Sequence, residues 1–152
     1  MVRLKHYWRI VFPIAIALII WFFSAASGDA SNSQSMSVAS WLGWPHDITR
    51  KIAHVVLYLA FGASLAFYSK GRYPKTFPRY EALIFNMIII VVWGAIDEIH
   101  QLLVAGRNGA FSDVVLDTVA GLCGLLLYIA FYCLIWQKIE KRPKSRHKIK
   151  NY

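Results

Sequence analysis

The residues best suited to chemistry in this 152-residue chain are polar side chains that interrupt long apolar runs. Asp97 and Glu98 are adjacent near the end of one run, and His54 lies near the beginning of another. Adjacent carboxyl groups project about 100° apart on a helix, so one partner cannot easily satisfy both. Paired carboxylates beside a histidine can serve as general acid and base, or bind a cation. Asp97, Glu98 and His54 are therefore the candidate catalytic residues.

The elements that must position these residues are membrane-spanning helices. The chain is 57% hydrophobic, above the roughly 45–50% of soluble domains. Its apolar runs approach the roughly 20 residues that a spanning helix needs. The sequence thus predicts an all-α integral membrane four-helix bundle, formed by a single domain over residues 1–152. Its spans are predicted at about 8–26, 51–69, 82–104 and 114–136, with a basic tail at 137–152.

The basic residues predict the orientation of this bundle. The chain carries a formal charge of +9, and its Lys and Arg flank the apolar runs, where they set topology and contact anionic lipid headgroups. This arrangement argues against nucleic-acid binding. The N-terminal segment, the loop at 70–79 and the tail are strongly basic, whereas the first loop balances Arg50 and Lys51 against acidic residues. Both termini are therefore predicted to be cytoplasmic.

The first run has two interpretations. Its core has the length of a signal-peptide apolar region, and the small residues at 24–26 resemble a cleavage site. Trp8, Trp21 and the following phenylalanines are more typical of interfacial anchors in a retained helix. Retention is the favoured interpretation.

The predicted topology brings the polar residues of three spans to one depth. The second span begins with polar residues spaced three and then four apart, the third ends with a polar cluster, and the fourth begins with one. Ionisable residues inside spans are costly and are usually paired or functional. We predict an outward-opening polar pocket with room for a hydrophilic headgroup. Its ligand-binding residues are Lys51, His54, Tyr58, Asp97, Glu98, Gln101, Arg107, Asp113 and Asp117.

Several of these residues also have purely structural interpretations. Asp113 can complement the helix dipole at a helix start, and Lys51 can extend to the interface. Arg107 can form a salt bridge with one of the neighbouring carboxylates. His100 is predicted to face lipid headgroups. No metal-ligand spacing such as His-Glu-x-x-His is present, so neither a metal nor another cofactor is predicted.

The motifs and their order carry a family resemblance. They are Lys51-x-x-His54-x-x-x-Tyr58, Asp97-Glu98-x-x-Gln101, Gly106-Arg107, and Asp113-x-x-x-Asp117 followed by Gly121 and Gly124. With the Ser- and Gly-rich loop after the first span, they resemble the VanZ-like family. Two residues depart from its pattern: Ala105 stands where proline often precedes Gly-Arg, and Asp117 stands where Asn is frequent.

The resemblance implies a small multi-pass protein of the bacterial cytoplasmic membrane, in a family whose named members are linked to teicoplanin resistance. The first functional hypothesis is a cell-envelope protein whose pocket binds a lipid-linked cell-wall precursor or a lipoglycopeptide. Its partners would be these amphiphiles and membrane lipids. The alternative is an intramembrane hydrolase or transferase acting on a lipid headgroup, so enzyme activity stays open. A third hypothesis gives the polar cluster only a role in helix assembly.

Overall fold

Four long helices form the part of the chain that the computed structural model describes, which is residues 4–25, 41, 43, 46–104, 110–136 and 138. A 3₁₀ helix, Leu4–Ile10, leads into α1, Val11–Ala25. The next two helices are α2, His46–Arg72, and α3, Tyr80–Leu102. The last is α4, Phe111–Phe131, which continues as a π-helical turn, Tyr132–Trp136. Within the described ranges there is no strand.

Each of the four helical segments is long and apolar enough to cross a membrane. By length and composition the candidate spans are His6–Ala25, Ile48–Arg72, Tyr80–Leu102 and Phe111–Ile135. The prediction of an all-helical protein with four membrane-spanning helices is therefore confirmed. The second span is longer than the run at 51–69, because the helix includes the polar residues on both sides of that run. The cytoplasmic location of both termini stays a prediction.

The outer surface of the bundle is apolar. Large side chains such as Phe85 on α3 and Leu127 on α4 are more than half exposed. In water this surface would be unfavourable, but hydrocarbon is as apolar as the side chains themselves. The buried residues include polar ones, among them Asp97, Gln101 and Asp117. This distribution of polar groups inside and apolar groups outside suits a protein surrounded by lipid.

Glycines allow α2 and α4 to pack with their backbones in contact. A Cβ added at Gly62 would meet the carbonyl group of Gly121, and one added at Gly124 would meet the backbone of Leu59. Small residues permit this close approach between membrane helices, where packing supplies much of the association energy. The α2–α4 pair is the most extensive helix contact in the structure. It fixes the relative positions of the polar residues that the two helices carry.

Helix α1 packs onto the bundle along its length. Ile20 and Ser24 are almost fully buried. In the 3₁₀ helix that precedes α1, the Arg9 guanidinium lies over the Phe67 ring, 4.3 Å from its centroid, and donates to the Phe67 carbonyl oxygen at 3.3 Å. These contacts make α1 part of the packed structure.

A buried hydrogen bond joins α2 to α3 and provides a test of the packing. Asn86 Nδ2 donates to Ser69 Oγ at 2.9 Å, and both side chains are buried. Ser69→Ala is expected to lower the free energy of unfolding by about 1 kcal/mol, because hydrogen bonds between membrane helices typically contribute about that much. Unfolding of the purified protein by a denaturing detergent measures the change. Thr76→Ala, at an exposed position, is the control, and equal stability of both variants would contradict the prediction.

Candidate functional site

The predicted site residues that the structure describes lie at one end of the bundle. Lys51, His54 and Tyr58 occupy the first half of α2. Asp97, Glu98 and Gln101 occupy the last turns of α3, and Asp113 and Asp117 the first turns of α4. The helices run in alternating directions, so the start of α2, the end of α3 and the start of α4 come together. The distances between their side chains show how closely the three helix ends approach one another.

The centre of the site is His54 between two buried carboxyl groups. Its Nδ1 lies 3.5 Å from Asp117 Oδ2 and 3.9 Å from Asp97 Oδ2. The side chains of Asp97 and Asp117 are 1% and 4% exposed, and that of His54 is 14% exposed. One ligand atom from each residue lies within 4.8 Å of the other two. Among the described residues, no Lys or Arg forms an ion pair with either carboxyl group.

A hydrogen-bonded chain to α1 orients Asp97. Gln101 Nε2 donates to Asp97 Oδ2 at 3.2 Å and to Ser24 Oγ at 3.4 Å. Gln101 thus links the carboxyl group to the first helix, which contributes Ser24 to the site. Sequence reasoning considers Ser24 only as part of a cleavage site and misses this contact. The signal that could have found it is depth, since Ser24 ends the first span on the side where the polar clusters lie.

Tyr58 lies behind this centre and is completely buried, with an exposed fraction of 0%. Its ring contacts Phe61 edge-on, with centroids 6.4 Å apart. The carboxyl groups that act electrostatically on its hydroxyl include those of Asp97 and Asp117. In the described part of the chain, neither this hydroxyl nor Asp97 Oδ1 makes a hydrogen bond of good geometry, although the hydroxyl lies near enough to the Asp97 carboxyl group to interact with it. Buried polar atoms nearly always have partners, so these two atoms are candidate contacts for a bound ligand.

Glu98 has a different environment from its neighbour Asp97. Its carboxylate accepts a hydrogen bond from the backbone N–H of Ala110, which immediately precedes α4. This bond ties the end of α3 to the start of α4. The geometry therefore gives Glu98 a structural contact and places Asp97, rather than Glu98, beside His54.

The mouth of the site is a small cleft lined by both basic and acidic side chains. Lys51 Nζ lies 3.8 Å from Asp113 Oδ1, and the Lys51 side chain is 54% exposed. Asp113 lies in the first turn of α4, where a carboxylate also complements the helix dipole. The enclosed volume of the cleft is about 20 Å³. Its lining residues are Arg50, Lys51, His54, Gln101, Asp113, Leu116 and Asp117.

Arg50, Arg107 and His100 each compare differently with the sequence-based prediction. Arg50 lines the cleft, although sequence reasoning counts it only among the loop charges, and its adjacency to Lys51 was the available signal. Arg107 lies outside the described residues, so its role stays a prediction. His100 stacks on Trp21 of α1, with ring centroids 3.9 Å apart. This contact gives His100 a packing role between α1 and α3 and does not place it in the cleft.

Fold and site together define a multi-span helical membrane protein with buried ionisable residues at one end of its bundle. Comparison with protein families then identifies the group: the family model described as VanZ/LLP1 matches residues 9–134. The chain belongs to the VanZ/LLP1 family, which confirms the resemblance drawn from the motifs. All nine predicted site residues fall within the matched range. Searches of curated proteins and of solved structures gave no match.

Proposed function

We propose that this protein is a cell-envelope membrane protein that binds the phosphate headgroup of a lipid-linked cell-wall precursor at the outer side of the bacterial cytoplasmic membrane. The observation that carries the proposal is the cleft at the end of the bundle, which Arg50 and Lys51 line together. Guanidinium and ammonium groups are the side chains that bind phosphate oxygens best. Family membership and the predicted orientation of the bundle support this location.

The size of the cleft favours a small headgroup. Pockets that enclose drug-sized molecules measure roughly 300–1,000 Å³, whereas the enclosed volume of this cleft is about 20 Å³. The cleft is too small to enclose a whole headgroup, so a phosphate group would bind at its mouth, against Arg50 and Lys51, and the peptide scaffold of a lipoglycopeptide would not enter. Any tolerance to teicoplanin would then follow from handling of the precursor and not from capture of the antibiotic in the cleft.

The surroundings of the cleft suit an amphiphile. Leu116 lines the cleft and is also exposed at the outer surface. Val119, one turn further along α4, is about half exposed. When Arg50 and Lys51 bind the headgroup, the hydrocarbon chain of the same molecule could therefore lie along this apolar strip of α4, in contact with lipid. The charged headgroup would then lie in polar surroundings and the hydrocarbon chain in lipid.

His54, placed between two carboxyl groups, favours a second candidate function: a hydrolase or transferase acting on the same headgroup. In hydrolysis, a water oxygen would form a bond to phosphorus while the bond from phosphorus to the leaving oxygen breaks. Asp97 or Asp117 would accept the proton of the water, and protonated His54 would donate one to the leaving oxygen. Arg107 is the residue predicted to stabilise the negative charge that develops on phosphate.

Binding of polyprenyl monophosphate and diphosphate to the purified protein in phosphatidylcholine nanodiscs tests the proposal, with polyprenol as the phosphate-free control. We expect both phosphates to bind and polyprenol not to bind. The double variant Arg50→Gln/Lys51→Gln should weaken binding by about tenfold or more, because one charge-assisted hydrogen bond contributes roughly 1.5–3 kcal/mol. The matched double variant Arg72→Gln/Lys75→Gln, at the other end of α2 and in the turn that follows it, should bind normally.

Equal affinity for polyprenol, or no effect of the Arg50/Lys51 variant, would refute headgroup binding in this cleft. Mass spectrometry of the same samples separates the two candidate functions. Release of phosphate by the parent protein, and its loss in an Asp97→Asn variant that still binds the lipid, would establish the hydrolase. Binding without any change in the lipid would establish a binding protein.

A further inference from the structure

We propose that His54, Asp97 and Asp117 form a binding site for one divalent transition-metal ion, either Zn²⁺ or Mn²⁺. The three residues come from three helices, α2, α3 and α4, so no local sequence motif connects them. One imidazole nitrogen with two carboxylate oxygens is a donor set suited to these ions. Binding a metal goes beyond headgroup binding and does not depend on it.

The spacing of the donor atoms fits a metal ion. Ligands bound tetrahedrally at roughly 2.0–2.2 Å from a metal lie about 3.4 Å from one another. His54 Nδ1 is 3.5 Å from Asp117 Oδ2 and 3.9 Å from Asp97 Oδ2. Small movements of the side chains would therefore complete the coordination, without any change in the packing of the three helices.

The charge of the cluster also calls for a cation. Asp97 and Asp117 are both almost fully buried, and burying an ionised carboxylate without compensation is costly. His54 is the only basic side chain that lies within ion-pairing distance of either of them in the described part of the chain. A divalent ion would balance both carboxylates, while neutral His54 would contribute its nitrogen as a ligand.

A second observation points into the same cluster. The hydroxyl of the completely buried Tyr58 interacts with the Asp97 carboxyl group, but neither it nor Asp97 Oδ1 makes a hydrogen bond of good geometry among the described residues. The free carboxylate oxygen is a ligand atom ready for a cation, and the hydroxyl can bond to that carboxylate or to a metal-bound water. Gln101 holds the other Asp97 oxygen at 3.2 Å, as outer-shell partners hold metal ligands.

The cleft gives an ion access to this site. His54 and Asp117 both line it, so their donor atoms can be reached from outside the bundle. Three protein ligands would leave at least one coordination position open toward the cleft, as in catalytic metal sites. A phosphate oxygen or a water molecule bound between Arg50 and Lys51 is well placed to fill that position.

Metal content of the purified protein is the test. The protein is stripped with EDTA, equilibrated with Mn²⁺ or Zn²⁺, freed of excess ion and analysed by mass spectrometry, with no lipid ligand present. We expect one ion per chain. His54→Ala, Asp97→Asn and Asp117→Asn should each weaken binding by about 100-fold or more, since even outer-shell partners typically contribute about 10–100-fold.

Two control variants separate ligation from general attraction by negative charge. Glu81→Gln removes a carboxylate at the other end of α3, where Glu81 pairs with Arg79 on the surface. Asp113→Asn removes one from the cleft that lies beside Lys51. Both should retain one ion per chain. A loss in Asp113→Asn as large as that in Asp117→Asn would overturn the proposed ligand set.

Absence of a stoichiometric ion in the parent protein, or its retention in the three ligand variants, would also overturn the proposal. If a ligand variant does not fold, electron paramagnetic resonance of Mn²⁺ in the parent decides: coupling to a histidine nitrogen supports the site, and its absence refutes it. Lipid binding measured in EDTA is a separate result, so the metal site and headgroup binding can fail independently.

Discussion

The Gly124→Leu variant is expected to be lost from the membrane as folded protein. A Cβ at Gly124 would meet the backbone of Leu59, and backbone atoms cannot rotate away as a side chain can. Overpacking a core usually costs roughly 1–3 kcal/mol when side chains rearrange. Here α2 and α4 must separate, so the cost should lie above that range. The yield of monodisperse protein in detergent, and its melting temperature, measure the effect.

A leucine elsewhere on the same helix provides the matched control. Ala130 is exposed on α4, where a larger apolar side chain faces lipid. Ala130→Leu should give the yield and melting temperature of the parent protein. Similar behaviour of both variants, whether both fold or both fail, would show that the α2–α4 backbone contact does not determine stability.

The consequence of this contact extends to the site. His54 lies two turns before Gly62 on α2, and Asp117 lies two turns before Gly124 on α4. The distance of 3.5 Å between the imidazole and this carboxylate therefore depends on how closely the two backbones approach. Small residues in the middle of the spans set the geometry of polar residues near their ends.

The four helices could be predicted because each is an apolar run of spanning length, and the requirement for internal hydrogen bonding in lipid leaves few other structures. The shared depth of His54, Asp97 and Asp117 could also be predicted, because helices with alternating directions must return to the same surface. The ends of the helices were harder to predict. Polar residues such as His46 and Arg72 extend α2 beyond its apolar run, and hydropathy alone does not detect them.

The rotation of each helix could not be predicted from one sequence. Asp97 faces His54 and Gln101, whereas the adjacent Glu98 bonds to Ala110. The sequence shows that these carboxyl groups point in different directions, but not which of them faces the centre. Ser24 and Arg50 were missed for a similar reason, since each becomes part of the site only through a neighbour on another element or through the shape of the cleft.

We expect this protein to confer tolerance to teicoplanin and the Asp97→Asn variant to abolish that tolerance. In a Gram-positive host, expression of the parent should raise tolerance to teicoplanin more than tolerance to vancomycin, and the variant should return the host to the susceptibility of an empty-vector strain. The physical reason is that Asp97 is almost fully buried beside His54. The amide keeps the shape of the side chain but removes the charge that would bind a cation or accept a proton.

Membrane abundance determines what this result means, because a buried carboxylate can also serve assembly. Loss of tolerance at equal abundance places function in the polar site, whereas loss together with the protein supports a role in helix assembly alone. Glu81→Gln is the matched control, since it removes only an exposed ion pair, a kind of interaction that contributes little to stability. If the parent leaves teicoplanin susceptibility unchanged, the resistance expectation fails for this family member. Headgroup and metal binding would then be judged by their own measurements, because neither depends on a resistance phenotype.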